Sequence, residues 1–337
     1  MKAWILEQQA PVEERPLRLA DVPEPLLHDD EIRVRVLACG VCRTDIHIAE
    51  GDLPLKKSPL ILGHEIVGIV AEVGRDVTRF RAGDRAGVYW LHSTCGHCKY
   101  CLSGRENYCP EIQCTGWDVD GGFAETAIAV AAYAVPLDDS RLTSVEIAPL
   151  MCPGIAGYAA FKLAGVQQGD RLGLYGFGPT AYYVLKVAQF LGIEVYVSTR
   201  SQRHIEEARQ AGAVWAGNAA QEQMPAKLDA AMIFPPAGQL VEPALSQVQR
   251  GGTLVMAPVS ASPITVTHYS ETMWGRDMRT LYHLKRSDAE EFFGLVNSLD
   301  LRLGVQVFPF EAAPEALLLA KTGRLTQPNA VIEVSRS

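Results

Sequence analysis

The chain predicts an α/β protein with a mostly-β part followed by a doubly wound parallel sheet, and three observations carry that expectation. Glu31-Ile32-Arg33-Val34-Arg35-Val36-Leu37 alternates polar and apolar side chains, the period of a half-buried strand. Arg171-Leu172-Gly173-Leu174-Tyr175 is a short apolar run that enters Gly176-Phe177-Gly178-Pro179-Thr180-Ala181; Ala181, Val184, Leu185, Ala188 and Leu191 then recur at helical spacing. Beyond them, strand-like runs at 194–198, 228–234 and 252–258 alternate with helical stretches, as in parallel βαβ units.

Bulk properties set the frame. A length of 337 residues suits two domains at the usual ~150 residues each. With 48% hydrophobic and 21% charged residues there is material for a folded core and no case for disorder. A net charge of −8 argues against a nucleic-acid or anionic-membrane surface, which needs a basic face. Glu7 interrupts the N-terminus too early for a signal-peptide core, and no apolar run approaches the ~20 residues of a membrane span. A cytoplasmic setting is expected. There the eight cysteines are read as metal ligands before disulfides.

In chain order, residues 61–73 read as a second strand, rich in Ile and Val and punctuated by Gly63 and Gly68; Gly74 follows it, and such glycines suit bulges in a small curved sheet. A turn at 80–85 leads into a strand at 86–90. Cys95, Cys98, Cys101 and Cys109 then form C-x2-C-x2-C-x7-C, four thiolates within fifteen residues, enough to close a tetrahedral zinc shell. So apolar-poor a loop needs the metal for its rigidity. His97 is read as exposed, and Cys39 and Cys114 as buried thiols.

A helix is expected at 155–163. Placed after a strand and before a helix, Gly176-x-Gly178-x-x-Ala181 marks a dinucleotide pyrophosphate site on backbone N–H groups, with Pro179 tolerated in the first turn. Ser201 is positioned to cap a helix that Gly212 ends. Helices at 288–297 and 314–321 and a strand at 330–334 close the chain.

These motifs resemble the zinc-dependent medium-chain alcohol dehydrogenases, and the resemblance covers nearly the whole chain. It is carried by Gly40-Val41-Cys42-x-Thr44-Asp45-x-His47, by Gly63-His64-Glu65-x2-Gly68-x5-Gly74, by the four-cysteine loop, by Cys152 and by the Gly176 loop. It implies a GroES-like, mostly-β catalytic domain at 1–153 and 284–337 with two zinc sites, and a Rossmann domain at 154–283. The catalytic zinc matches Cys42, His64 and Cys152, a Cys2His set with one open position that this family is known for. Cys39 lies close by, but the family's ligand directly follows Gly-Val, which selects Cys42. The structural zinc matches Cys95, Cys98, Cys101 and Cys109.

The resemblance also assigns roles. Thr44 and His47 match the proton relay, Asp45 the group that orients the His64 ring, Glu65 an acid behind the metal, and Arg43 a pyrophosphate-binding arginine. Leu53, Trp90 and Trp117 match pocket walls that favour a medium or aromatic alcohol or aldehyde over a charged one. Gly176, Gly178, Pro179 and Thr180 would cradle the cofactor. About 20 residues past Gly178, where NAD-specific chains carry an acid, stand Thr199, Arg200 and Ser201, so NADP(H) is expected to be preferred and NAD(H) possible. Arg203 and His204 lie within one turn as further positive charge. Pro153, Ala156, Tyr182, Tyr183 and Asn329 depart from the family pattern. Relatives are dimers or tetramers, so a homo-oligomer is expected.

Reversible hydride transfer between an alcohol and its aldehyde or ketone is the leading reading. An aldehyde reductase of the same fold is the alternative within that chemistry. A zinc-ribbon interaction protein built on Cys95 to Cys109 is the alternative from another class, and a metal count of one per chain would favour it over two.

Overall fold

The alternating run at 31–37 forms the strand Glu31–Gly40, extended because Ala38, Cys39 and Gly40 are buried too. The structure is a computed structural model and describes residues 1–137, 139–301 and 303–335. Over these residues the chain divides into two compact units, Met1–Cys152 with Leu284–Asn297 and Arg302–Ser337, and Pro153–His283 with Ser298–Leu301.

In the first unit Glu31–Gly40 is the spine of a seven-stranded sheet ordered Val135–Pro136, Arg85–Val88, Glu65–Val73, Glu31–Gly40, Asn329–Glu333, Val305–Pro309, with Thr126–Val130 paired to Glu31–Gly40 off that path. The C-terminal strand pairs antiparallel with the spine at Val331 and Gly40, so the end of the chain completes the sheet that its beginning starts. Ile32, Val34, Val36, Ile66 and Val70 fill the core beneath. The segment returning to this unit is anchored by Arg286, whose side chain and backbone N–H donate to the buried Glu106 carboxylate at 2.7–3.1 Å.

Two expectations are corrected. The single strand expected at 61–73 is two, Leu60–Ile61 and Glu65–Val73, because Gly63 takes a positive φ of 96° and turns His64 out of the ladder. The strand expected at 86–90 is Arg85–Val88, and a separate strand, Leu91–Ser93, follows it.

The second unit is the α/β doubly wound sheet that was expected. Six parallel strands run in the order Trp215–Gly217, Glu194–Ser198, Arg171–Tyr175, Leu228–Ile233, Val248–Met256, Asp277–Thr280. Leu172, Leu174, Val195, Val197, Ala230 and Ile233 are buried, which is why these strands read as continuous apolar runs and not as alternations. The helices Pro179–Phe190 and Gln202–Gln210 make the crossovers on either side of the Glu194–Ser198 strand. Among the described residues no single helix is long and apolar enough to cross a membrane.

Candidate functional site

The first constellation is organised by the helix Arg43–Glu50. Cys42 is its N-cap residue, and Asp45, three residues on, accepts the Cys42 backbone N–H at 2.8 Å, which satisfies a donor that the helix start leaves open. The other oxygen of the fully buried Asp45 accepts the Gly63 N–H at 3.2 Å and the His64 Nδ1 proton at 3.1 Å. One carboxylate therefore positions both a thiol and an imidazole from separate segments. His64 Nε2 is buried and has no hydrogen-bond partner among the described residues.

Cys152 reaches the same place from the end of the 3-10 turn Ala148–Met151; its Sγ lies 3.7 Å from that of Cys42. A tetrahedral zinc with Zn–S bonds of ~2.3 Å sets its sulfurs about 3.8 Å apart, so this pair fits one cation. Ligand atoms of Cys42, His64, Glu65 and Cys152 all lie within 4.8 Å of one another.

The electrostatics match that chemistry. The hydrogen bond from Cys152, helped by the His64 charge, holds the Cys42 thiol well below its ordinary range despite burial. That bond, followed by burial, pushes Cys152 well above its own. For His64 burial opposes a charge, but Asp45 and Cys42 outweigh it and the ring is held well above the usual histidine value. Burial, then the Cys42 charge, keeps Glu65 well above the carboxylate range. Of these ligands the Cys42 sulfur gives up its proton most readily, and a divalent cation would displace the protons on Cys152 and His64.

The four-cysteine loop gathers its sulfurs at the spacing a tetrahedral ion needs: Cys95 to Cys101 is 4.0 Å, Cys98 to Cys101 3.5 Å and Cys95 to Cys109 3.5 Å. Burial pushes the Cys109 thiol up to about 12, so its proton too would leave on binding. His97 is exposed, its Nδ1 within 2.8 Å of the Cys95 carbonyl, while Cys39 and Cys114 are buried and in no disulfide among the described residues.

In the second unit Gly176 has a φ of 87°, and a Cβ there would press on the Pro235 ring at 2.8 Å. Gly178 and Pro179 begin the helix Pro179–Phe190 with no side-chain cap, so its first N–H groups stay open to an anion. Thr199 is buried and bonds Gly217 through its backbone, and Ser201 caps Gln202–Gln210 by accepting the His204 N–H at 3.4 Å. Arg200 is exposed, with no ion-pair partner among the described residues. Arg203 bonds the His204 ring at 3.1 Å and pairs with Glu207, and burial holds His204 below its usual value, so His204 adds no charge at neutral pH.

The family model for the alcohol dehydrogenase GroES-like domain matches residues 28–139. Two solved structures share the fold over the whole chain. An alcohol dehydrogenase from Pyrobaculum aerophilum, with cobalt and zinc bound, gives a TM-score of 0.86 at 24% identity over 99% of each chain. CAD from Helicobacter pylori, complexed with NADP(H), gives 0.86 at 22% identity over 100% of this chain and 98% of its own. At those identities they speak for the fold. "Probable alcohol dehydrogenase AdhA" of Mycobacterium tuberculosis (strain CDC 1551 / Oshkosh) is 41% identical over 96% of this chain and 95% of its own length. The chain belongs to the alcohol dehydrogenase family.

As a member of that family it is an oxidoreductase acting on small molecules, and the zinc-ribbon reading is not favoured. The other expected residues can then be located. Thr44 Oγ1 lies 3.6 Å from Cys42 Sγ, and His47, three residues on, shares its helix face. Trp90 meets the His64 ring edge-on with centroids 5.0 Å apart and stacks on Trp117 at 5.8 Å. Leu53 is half-buried after the turn that ends the helix, its N–H on the His47 carbonyl at 3.1 Å. Arg43 is exposed and donates to the Lys321 carbonyl at 3.3 Å.

Of the departures, Pro153 opens the helix Pro153–Ala164, where its missing N–H costs nothing, and Tyr183 is absorbed into the core. Sequence reasoning missed Asp52, whose carboxylate lies 2.7 Å from His47 Nδ1. The available signal was Gly51, which ends the helix with a φ of 93° and turns the chain back toward His47.

Proposed function

We propose that the chain catalyses reversible hydride transfer between a primary or secondary alcohol and its aldehyde or ketone, with two zinc ions per chain and NADP(H) preferred over NAD(H). The observation that carries the catalytic zinc is the buried His64 Nε2, unpartnered among the described residues, in a group with two thiols 3.7 Å apart. Cys42, His64 and Cys152 would hold that ion, and Cys95, Cys98, Cys101 and Cys109 the structural one. Zinc in the open site supplies Lewis-acid polarisation of an alcohol or carbonyl oxygen, and a bound nicotinamide supplies the hydride acceptor or donor.

The chain's own groups do the rest. Asp45 fixes the His64 ring through Nδ1, and Glu65 lies beside the ligands. Thr44 would take the alcohol proton as it gives up its own hydroxyl proton, and His47, beside Asp52, would be the outer group that exchanges a proton with water. Trp90, Trp117 and Leu53 bound the substrate and exclude water. Within the second unit the Gly176 to Thr180 turn would bind pyrophosphate on its backbone N–H groups, and Thr199, Arg200 and Ser201 would take a 2′-phosphate; in the first unit Arg43 would offer its charge to phosphate oxygens. In the second unit, the edge strand Asp277–Thr280 and the exposed Tyr269, Trp274 and Tyr282 support a homodimer or homotetramer joined through that edge. We assign the protein to the cytoplasm.

The test is oxidation of ethanol and benzyl alcohol with NADP and NAD, beside a zinc count on the same preparation. Turnover that survives complete metal removal would overturn the reading.

A further inference from the structure

Two loops of the first unit are fastened to each other beside the candidate metal centre. Trp117 Nε1 donates to the Pro54 carbonyl at 2.9 Å. Lys56 places its ammonium 3.6 Å from the centroid of the Trp117 ring and pairs with Asp118 at 2.6 Å. Asp118 is itself held by the Cys114 N–H at 2.9 Å, and Lys57 repeats the link to Asp120 at 2.7 Å. Trp117 also stacks on Trp90, with centroids 5.8 Å apart and planes 20° from parallel, and Trp90 abuts His64. A series of four side chains, Lys56, Trp117, Trp90 and His64, thus runs from solvent to a candidate zinc ligand.

The Pro54 bond tethers only the Nε1 edge of the indole, which can still tilt about it unless a face of the ring is held as well. The ammonium attracts that face electrostatically, and the Asp118 pair fixes where the ammonium sits. We infer that Lys56 is a positioning residue for substrate selection: together with Asp118 it holds the Trp117 ring parallel to Trp90, building a rigid aromatic wall suited to planar aromatic alcohols. This role rests on the proposed dehydrogenase activity. Small aliphatic alcohols, which leave the outer part of the wall untouched, gain nothing from it.

The test compares Lys56→Met, which keeps an apolar stem without the charge, with Lys56→Arg, which keeps a cation able to stack and to pair. In Lys56→Met the KM for benzyl alcohol is expected to rise about five-fold with kcat little changed, the KM for ethanol to stay put, and Trp117 to become more accessible to acrylamide, read against Trp117→Phe. Lys56→Arg is expected to restore all three. Equal losses on both alcohols, unchanged KM and quenching, or an arginine variant as poor as the methionine one would overturn the inference. If the wild type turns over neither alcohol, the dehydrogenase reading fails instead, and the quenching comparison still decides whether Lys56 holds Trp117.

Discussion

Asp45 binds Cys42 and His64 with one carboxylate, accepting the backbone N–H of the first at 2.8 Å and the ring Nδ1 proton of the second at 3.1 Å. Both bonds lie in the interior, where removing the charge is felt most. Asp45→Asn keeps the shape but replaces one acceptor oxygen by a donor. It is expected to weaken zinc binding at the three-ligand site about 10- to 100-fold, as competition with a chromogenic chelator will measure. A variant that holds zinc as tightly as wild type would show that the ring needs no such orientation.

Removing a ligand is a stronger change. Cys42→Ser, His64→Ala and Cys152→Ser are each expected to abolish turnover and lose one zinc per chain while the fold survives, since an open site has no spare ligand. Atomic absorption and circular dichroism on the same samples check both halves. Full activity at half the metal content would sink the assignment.

The four-cysteine loop should behave differently, because a metal held there would contribute folding energy. Cys101→Ser is expected to lower Tm before it lowers specific activity. With the Cys109 thiol pushed up to about 12, zinc uptake releases protons, so affinity weakens as pH falls, and a pH-indicator titration will register the release. Wild-type melting with catalysis lost outright would exchange the roles of the two metals.

His47 and Asp52, 2.7 Å apart near the surface, form the outer end of the proposed relay. His47→Gln is expected to lower kcat about 100-fold, partly rescued by added imidazole, and Asp52→Asn to lower it less. Absence of rescue together with a lowered KM for cofactor would move His47 from proton transfer to cofactor binding.

The proposed preference for NADP(H) rests on Arg200, which is exposed and has no ion-pair partner among the described residues. Arg200→Ala is expected to cost about ten-fold in kcat/KM for NADP and little for NAD, the worth of one charge-assisted phosphate contact. A wild type that clearly prefers NAD would remove the basis for this role.

By itself the sequence determined the features that local spacing and local chemistry dictate. The strands Arg171–Tyr175 and Glu194–Ser198 match their apolar runs residue for residue, since parallel strands buried on both faces leave no ambiguity of period. Four cysteines within fifteen residues likewise announce their own loop. Cys42, His64 and Cys152 are far apart in the chain, and only family resemblance linked them. Tertiary structure decided the rest. Gly63 ends one strand and starts another so that His64 can leave the ladder, a turn that the Ile- and Val-rich run concealed. Asp52 and Lys56 gained partners from chain reversals that depend on backbone dihedrals and packing, to which hydrophobic periodicity is blind. The C-terminal strand joined the N-terminal sheet because the exposed edge of Glu31–Gly40 needed hydrogen-bond partners, a demand that no single segment of sequence displays.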